Sequence, residues 1–482
     1  MNARPRVVVV GAGIAGLATA RAVRHEVPDA EVIVLESSDR PGGNVRTERV
    51  DGYLCEAGPD GFLDNAPATL AFVEEIGLTA SLLSSADAAR RRFIFRDERL
   101  HEVPLSPFAF LKSPLISTKG KLRVACEPVS RRAPAYDETI LQFAERHLGR
   151  EAARVLVGSM VSGVFAGDAS ELSLKSCFPK MHDMDARYGS LVRAMIAKRR
   201  RSSANGVGAP AGRLTSFIDG MESLIRAAVA SLGDAVRTNR QVREVRPRRQ
   251  FRDGVARLVG ARSFGVVSEG QTIEADAVVL AGPASETADL LRGFEPEAAR
   301  HLNGIGTAPL AVVCLGYDDA ALSRDRGPLN GFGFLVPRGE GPRILGALWE
   351  SSIFPGRAPS GKALLRVMIG GATDREAVDL DDARLLGIIR EDLRRTMGLR
   401  VIPEFIHAVR HRRGIPQYTI GHASRVARIE SRVRDYPGLF LAGNSYRGVS
   451  INACIDDAPA VAQQVAIHLQ RRSALVEYAA AR

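Results

Sequence analysis

The chain has 482 residues, which at roughly 150 per domain corresponds to about three lobes, or to one large cofactor domain carrying insertions. Hydrophobic residues make up 45% and charged residues 25%, close to the soluble average, which excludes wholesale disorder, a collagen-like fibre and a polytopic membrane protein. The formal charge is +11, and only seven of the 66 basic residues are lysine; residues 93–201 concentrate the excess, with 19 basic against 12 acidic side chains and six of the lysines.

Basic surface suits nucleic acid or an anionic membrane face. No RNA-binding aromatic motif, zinc knuckle or basic zipper supports the first, so no nucleic-acid partner is expected. Five scattered cysteines (Cys55, Cys126, Cys177, Cys314, Cys454) lack C-x-x-C spacing and read as packing residues in a reducing compartment. His407 and His411 are four apart but lack a third ligand, so no metal is inferred. No stretch is apolar for the 18 residues a membrane helix needs.

Arg4 and Arg6 before the apolar run Val7 to Ala20 imitate a signal peptide, but glycines interrupt the run at meaningful positions. Val7 to Val10 reads as a buried strand, followed by a helix to about Arg24 and a second strand, Glu31 to Leu35. Between them stands Gly11-Ala-Gly13-Ile-Ala-Gly16. In a dinucleotide fingerprint the first glycine permits the tight turn, the second admits the pyrophosphate, and the third lets helix and strand pack closely. Glu36 ends the second strand 20 residues after Gly16, where an acid accepts hydrogen bonds from a ribose. A second glycine turn follows, Arg40-Pro-Gly42-Gly43, which a plain NAD domain does not need.

Further along, the basic run Lys198 to Arg201 and the loop Ser202 to Arg213 predict a boundary. Strands are expected at Ala235 to Val245, Ala277 to Ala281 and Leu439 to Ala442. A mostly β lobe is expected between about 290 and 395, with strands Leu310 to Leu315, Gly333 to Val336 and Ala363 to Ile369, closed by a helix near Asp381 to Met397. Near the end, Gly443-Asn444 forms a turn and Gly448-Val-Ser-Ile-Asn452 opens a last helix, whose free N–H groups suit an electron-rich ring edge.

The N-terminal block resembles the flavin amine oxidase superfamily. The segments Gly163 to Ser173, Ser176 to Pro179, Gly331 to Pro337, Val367 to Gly371 and Asn444 to Asn452 are similar to the protoporphyrinogen oxidase family, with similarity from about residue 6 to about 470. The resemblance implies an α/β fold: a Rossmann-like FAD-binding domain, a mostly β substrate-binding domain and a helical, membrane-associating lobe. The expected division is a discontinuous FAD-binding domain over 1–85, 210–290 and 396–470, and a substrate domain over 86–92 and 291–395. The helical lobe covers 93–209, and a C-terminal tail covers 471–482.

For FAD, the resemblance implies Gly11, Gly13, Gly16, Glu36, Arg40, Gly42 and Gly43 at the phosphates and ribose, Val242 at the adenine end, and Gly443, Asn444, Val449 and Ile451 along the flavin. For substrate it implies Arg92 facing a propionate, Phe332, Leu335 and Met368 around a macrocycle, and Gly163 in the cavity wall. An arginine among so many is ordinarily a solvated charge, and apolar strand residues ordinarily mean core. Strand alternation turns Arg91 away from Arg92 and leaves Arg90 as an assistant.

The implied activity is oxygen-dependent, six-electron oxidation of protoporphyrinogen IX in haem biosynthesis, with hydrogen peroxide as by-product. Flavin N5 accepts hydride and no side-chain base is needed. The partners are a porphyrinogen, dioxygen and a membrane surface, in the cytoplasm, with a homodimer left open. Coproporphyrinogen III oxidation, a flavin amine oxidase and a flavin-free binding protein of the prenyl-GTPase chaperone type are the alternatives. The absence of a second aromatic beside Tyr446 speaks against the amine oxidase, and the paired Gly42-Gly43 and Gly443-Asn444 turns speak against the binding protein.

Overall fold

The computed structural model describes residues 4–130, 134, 136–197, 212–248 and 262–480. The apolar N-terminal run folds as expected: the strand Arg6–Val10, a glycine turn, and the helix Ile14–Glu26. Arg6–Val10 is the centre of a five-stranded parallel sheet, with Glu31–Leu35 and Val236–Arg237 on one side and Ala277–Leu280 and Leu439–Leu441 on the other. These strands are short and nearly continuously apolar because both faces are covered. Val7 and Val9 pack under the helix Ile14–Glu26 and the last helix, Ile451–Ala480, while Val8 faces a second core containing Leu291, Leu302 and Ile429.

The expected strand Ala235 to Val245 is two strands. Val236–Arg237 joins the parallel sheet, Asn239 takes a left-handed conformation (φ 53°), and Val242–Pro247 joins a separate three-stranded antiparallel sheet. Asn tolerates that conformation, so the turn carries no glycine to mark it.

A seven-stranded sheet forms the second layer, in the order Phe405–Pro416, Thr307–Asp318, Lys362–Gly370, Ile344–Leu348, Gly333–Leu335, Arg92–Arg96 and Arg99–Glu102. Three of its strands lie wholly or mostly outside the span expected for a substrate domain. The hairpin Arg92–Glu102 enters where the helical lobe was placed, and Phe405–Pro416 enters from the assigned cofactor segment. Long-range pairing recruits them: Gly333 pairs with Arg92 in parallel, and Thr307–Asp318 pairs with Phe405–Pro416 along nearly its whole length. The helix Asp382–Met397 covers one face of this sheet through Leu385, Ile389 and Leu393.

Between the hairpin and residue 197 the chain is largely helical. Several of its charges are consumed internally. His147, fully buried, lies between Glu127 (2.7 Å to Nδ1) and Asp185 (3.1 Å to Nε2), and Arg123 donates to the carbonyls of Arg146 and His147. The boundary expected at Lys198 to Arg201 and Ser202 to Arg213 falls outside the described residues except for Gly212 and Arg213. The expected tail at 471 is instead a continuation of the last helix to Ala480. Among the described residues no helix is long and apolar enough to cross a membrane.

Candidate active site

The two glycine turns meet. Gly42 N–H donates to Ala12 O (2.8 Å), Gly13 bridges Gly42, and a β-carbon on Gly43 would stand 3.7 Å from Gly13 Cα. The glycines divide the work as their spacing implies. A β-carbon on Gly16 would lie 2.0 Å from Gly11 O, so the helix can cross the strand end only without a side chain there. A β-carbon on Gly13 would meet nothing within 4 Å. That open space at a helix N-terminus suits a pyrophosphate.

Glu36 stands beside this space, its carboxylate accepting from Ala12 N (2.9 Å), Ser38 N (3.0 Å) and Ser38 Oγ (2.8 Å). Arg40 lies inside the second turn rather than facing out of it. Its guanidinium donates to Gly43 O (2.6 Å) and Pro41 O (3.0 Å), bracing the turn for the neighbouring glycines. Val242 follows the link in which Asn239 N and Arg240 N donate to Ser38 O (2.8 Å) and Glu36 O (2.7 Å), so it is tied to the segment that carries Glu36.

At the other end Leu439–Leu441 runs into Gly443 (φ 118°) and Asn444, and Ser450 caps the helix Ile451–Ala480 by accepting from Ala453 N (3.1 Å). Its first-turn N–H groups lack intrahelical acceptors. Ile451 is buried in the main core, and Val449 packs against Val161 and Phe165. One residue absent from the sequence reading holds this turn. Tyr418, 1% exposed, donates its hydroxyl to Asn444 O (2.5 Å) and accepts from Gly448 N (2.8 Å). It stacks on His422 at 3.9 Å, whose pKa burial depresses to about 4, so that ring stays neutral. A lone tyrosine outside any motif gives no sequence signal.

The five residues assigned to substrate share one region of the seven-stranded sheet. Leu335 is in register with Ile94 and Gly346, and Gly346 with Met368. Arg92, two residues before Ile94, shares that face, and its guanidinium lies over the Phe332 ring at 5.0 Å. Phe332 packs on the cluster that contains Met368. Gly163 presses on Leu335, whose Cδ2 would be 2.7 Å from a β-carbon at 163. Arg92 is exposed, and no carboxylate among the described residues pairs with it. Arg91 points to the opposite face, as alternation requires, and pairs with Glu102 (2.9 Å). Arg90 is not on the strand: it ends a 3-10 turn, Asp87–Arg90, and lies 3.6 Å from Asp87.

The residues present therefore fit a dinucleotide flavin: an open glycine-lined cradle with the Glu36 carboxylate beside it, and a second helix N-terminus at Ser450. Comparison with known proteins agrees. The chain is 33% identical over 492 residues to the chloroplastic protoporphyrinogen oxidase of Oryza sativa subsp. japonica, covering 96% of this chain and 88% of that protein. It is 28% identical over 486 residues to the coproporphyrinogen III oxidase of Bacillus subtilis (strain 168), covering 97% and 99%. In structure it is similar to an Exiguobacterium sp. 255-15 protein provisionally designated protoporphyrinogen oxidase, with TM-score 0.81, 26% identity, and 97% and 99% of the two chains covered. The description "Flavin containing amine oxidoreductase" matches residues 14–466, and the chain belongs to that family as an FAD-dependent oxidoreductase.

Proposed function

We propose that the chain oxidises protoporphyrinogen IX to protoporphyrin IX in three two-electron cycles, with dioxygen as acceptor and hydrogen peroxide as by-product. The observation that carries this reading is Arg92, an uncompensated cation at the end of an apolar wall made by Phe332, Leu335 and Met368. A porphyrinogen is a puckered apolar macrocycle with carboxylates at one edge, and it needs those two surfaces side by side. With Arg91 held by Glu102 and Arg90 beside Asp87, one free guanidinium matches a substrate carrying propionates on one edge better than one carrying four carboxylates.

In this reading Gly11, Gly13, Gly16, Gly42 and Gly43 admit the phosphates of FAD, with Arg40 bracing their second turn. Glu36 takes the ribose and Val242 the adenine end. Gly443, Asn444, Val449 and Ile451 line the ring. When bound, FAD would supply the hydride acceptor. The protein's part is orientation: Arg92 fixes one edge by a charge-assisted pair, while Gly163, where a β-carbon would strike Leu335, lets that leucine close the wall. Aerobic incubation with protoporphyrinogen and coproporphyrinogen in parallel, followed by porphyrin fluorescence, tests the reading. Faster turnover of the first is expected; porphyrin from neither refutes it.

The helical lobe is the proposed membrane contact of a cytoplasmic, peripheral enzyme. Leu105, Phe108 and Leu111 are 72%, 66% and 63% exposed, with Lys112 over the Phe108 ring and Lys121 donating to Leu111 O. The neighbouring Leu115 and Ile116 do not join them: they are buried against Ile94, Ala152 and Val155, because the hairpin Arg92–Glu102 needs apolar cover. Basic residues near anionic headgroups contribute up to about 1 kcal/mol each. Sedimentation with anionic liposomes at low salt is expected, and its loss in a Leu105→Ser, Phe108→Ser, Leu111→Ser variant; retention by that variant would remove this patch from the contact.

A further inference from the structure

The sheet face that carries Met368 also carries a buried ionic cluster that the mechanism above leaves unused. Arg366, in the middle of the apolar strand Lys362–Gly370, is 5% exposed. Its Nη1 lies 3.3 Å from Asp60 and 3.4 Å from Glu350, and its Nη2 donates to Gly58 O (2.6 Å). Beside it, Arg357 lies 3.4 Å from Glu56 and donates to Ser216 Oγ (2.7 Å). Glu56 also accepts from Thr47 Oγ1 (2.7 Å) and Met221 N (2.8 Å). Glu56, Glu350 and Arg357 are 2%, 2% and 1% exposed, and Asp60 is 9% exposed. Cys314, Cys55 and His411 also face the cluster among the described residues, and His411 is held by Ala57 O (2.7 Å) with its pKa lowered by burial.

Three carboxyls against two guanidiniums leave one net negative charge if all ionise. An uncompensated charge at this depth is costly enough that a proton binds instead. The hydrogen bonding has room for it: both Asp60 oxygens and Glu350 Oε2 have no hydrogen-bond partner, nor do Arg366 Nε and Arg357 Nε. Burial, reinforced by the charge of Asp60, pushes Glu350 well above the ordinary carboxyl range, so the Asp60–Glu350 pair holds this proton. Burial raises Glu56 to about 7, against the opposing pull of Arg357, so a second proton can be taken there near neutrality.

The cluster stands where the substrate wall meets the cofactor cradle. Arg366 is two residues from Met368 on the same face, and Gly58 backs onto Asn44, the residue after the second glycine turn, so closely that a β-carbon there would be 1.8 Å from Asn44 O.

We propose that this cluster is a proton store coupled to the flavin: Glu56 takes up one proton when the flavin is reduced and releases it when the flavin is reoxidised. This rests on, and deepens, the porphyrinogen-oxidase reading. In each cycle a substrate C–H bond breaks with its electron pair passing to flavin as hydride, and a pyrrole N–H bond breaks with its proton passing to Glu56. Over the three cycles one further meso hydrogen moves to nitrogen by tautomerism, so that four meso C–H and two pyrrole N–H hydrogens are lost in all. Dioxygen then receives two electrons, the flavin's proton and the stored proton, giving hydrogen peroxide and restoring the cluster. The cluster is neutral beside the neutral oxidised flavin and positive beside the anionic reduced flavin, so each charge change is compensated locally.

The test is the two-electron midpoint potential of the holoenzyme flavin between about pH 7.5 and 8.5, measured without porphyrinogen. Each proton taken up with two electrons contributes about 30 mV per pH unit. Wild type is expected to show about 60, one proton on the flavin and one on Glu56. Glu56→Gln should fall to about 30. Glu350→Gln, which mimics the resting protonated carboxyl, should stay near 60. A wild-type slope near 30, or either variant departing from its own value, overturns the store. If a variant fails to hold flavin, the reduced-minus-oxidised infrared difference spectrum of wild type decides: a carboxylic-acid C=O band must appear on reduction, and its absence overturns the proposal. Because neither measurement uses porphyrinogen, a wrong substrate assignment would leave these results unchanged.

Discussion

The two faces of the seven-stranded sheet are built from the same strands and buried alike, yet they do different work. Along Lys362–Gly370, Ala363, Leu365, Val367 and Ile369 face the helix Asp382–Met397 and join a wholly apolar core with Phe334 and Ile389. Arg366 and Met368 face the other way, on the side shared by Leu335 and Arg92, where Arg366 reaches Gly58 and Leu335 meets Gly163 of the helical lobe. Val367 is fully buried and Met368 is 9% exposed, so depth alone does not separate them. What separates them is charge. The helix-facing core is lined by apolar side chains, with Trp349 Nε1 left without an acceptor under the Arg326 guanidinium, whereas the other side carries the buried carboxyls and guanidiniums around Arg366 and the unpaired cation of Arg92. Buried ionisable groups are a better mark of a working surface than exposure is.

Adjacent residues on opposite faces give the largest expected contrast. Phe334→Ala should destabilise the holoenzyme by about 3–5 kcal/mol, as large-to-small changes of buried aromatics do, with little change in kcat/KM for the protein that remains folded. Leu335→Ala removes part of the proposed substrate wall beside Gly163, so it should lower kcat/KM while costing less stability, since Leu335 is only half-buried. Denaturant unfolding and steady-state kinetics on both variants check this. Equal stability losses with no kinetic difference would erase the distinction between the faces.

The cradle was legible because it depends on local spacing: strand, glycines, helix, strand and acid all lie within residues 6–36. The last glycine turn was legible for the same reason. What escaped were contacts that close over long separations. Nothing local announces that Arg92–Glu102 will pair with Gly333–Leu335, or that Tyr418 will brace Asn444 and Gly448. The proton cluster was half visible, since Arg366 interrupts an apolar strand. Its partners Glu56, Asp60 and Glu350 come from distant segments, so no spacing shows them as a set.

The cradle can be separated from the scaffold in the same manner. Gly13→Val should leave the fold intact, because a β-carbon there meets nothing within 4 Å, and yet abolish flavin binding by filling the pyrophosphate space. Gly16→Val should lose both, because its β-carbon collides with Gly11 O. Glu36→Ala should weaken FAD by about 1.5–3 kcal/mol, the range for hydrogen bonds to a charged group. Flavin content and apoprotein melting temperature report the two effects independently. Full flavin occupancy in both Gly13→Val and Glu36→Ala would remove the assignment.

The smallest expected effects come from neighbouring arginines, and they test the contrast most finely. Arg92 has no carboxylate partner among the described residues, so in the proposed reading a substrate propionate would be its first strong pair. Arg92→Ala should lower kcat/KM by roughly tenfold to a hundredfold, equivalent to about 1.5–3 kcal/mol, and leave the flavin spectrum unchanged. Arg92→Lys keeps the charge but loses the planar fork, so it should recover only part of the loss. Arg91 is already paired with Glu102 on the opposite, exposed side. Arg91→Ala should therefore cost at most about 1 kcal/mol of stability, as exposed ion pairs do, with kcat/KM unchanged. Equal kinetic losses from the two alanine variants would mean that both arginines act only through the general charge of the region, and the propionate role of Arg92 would fall.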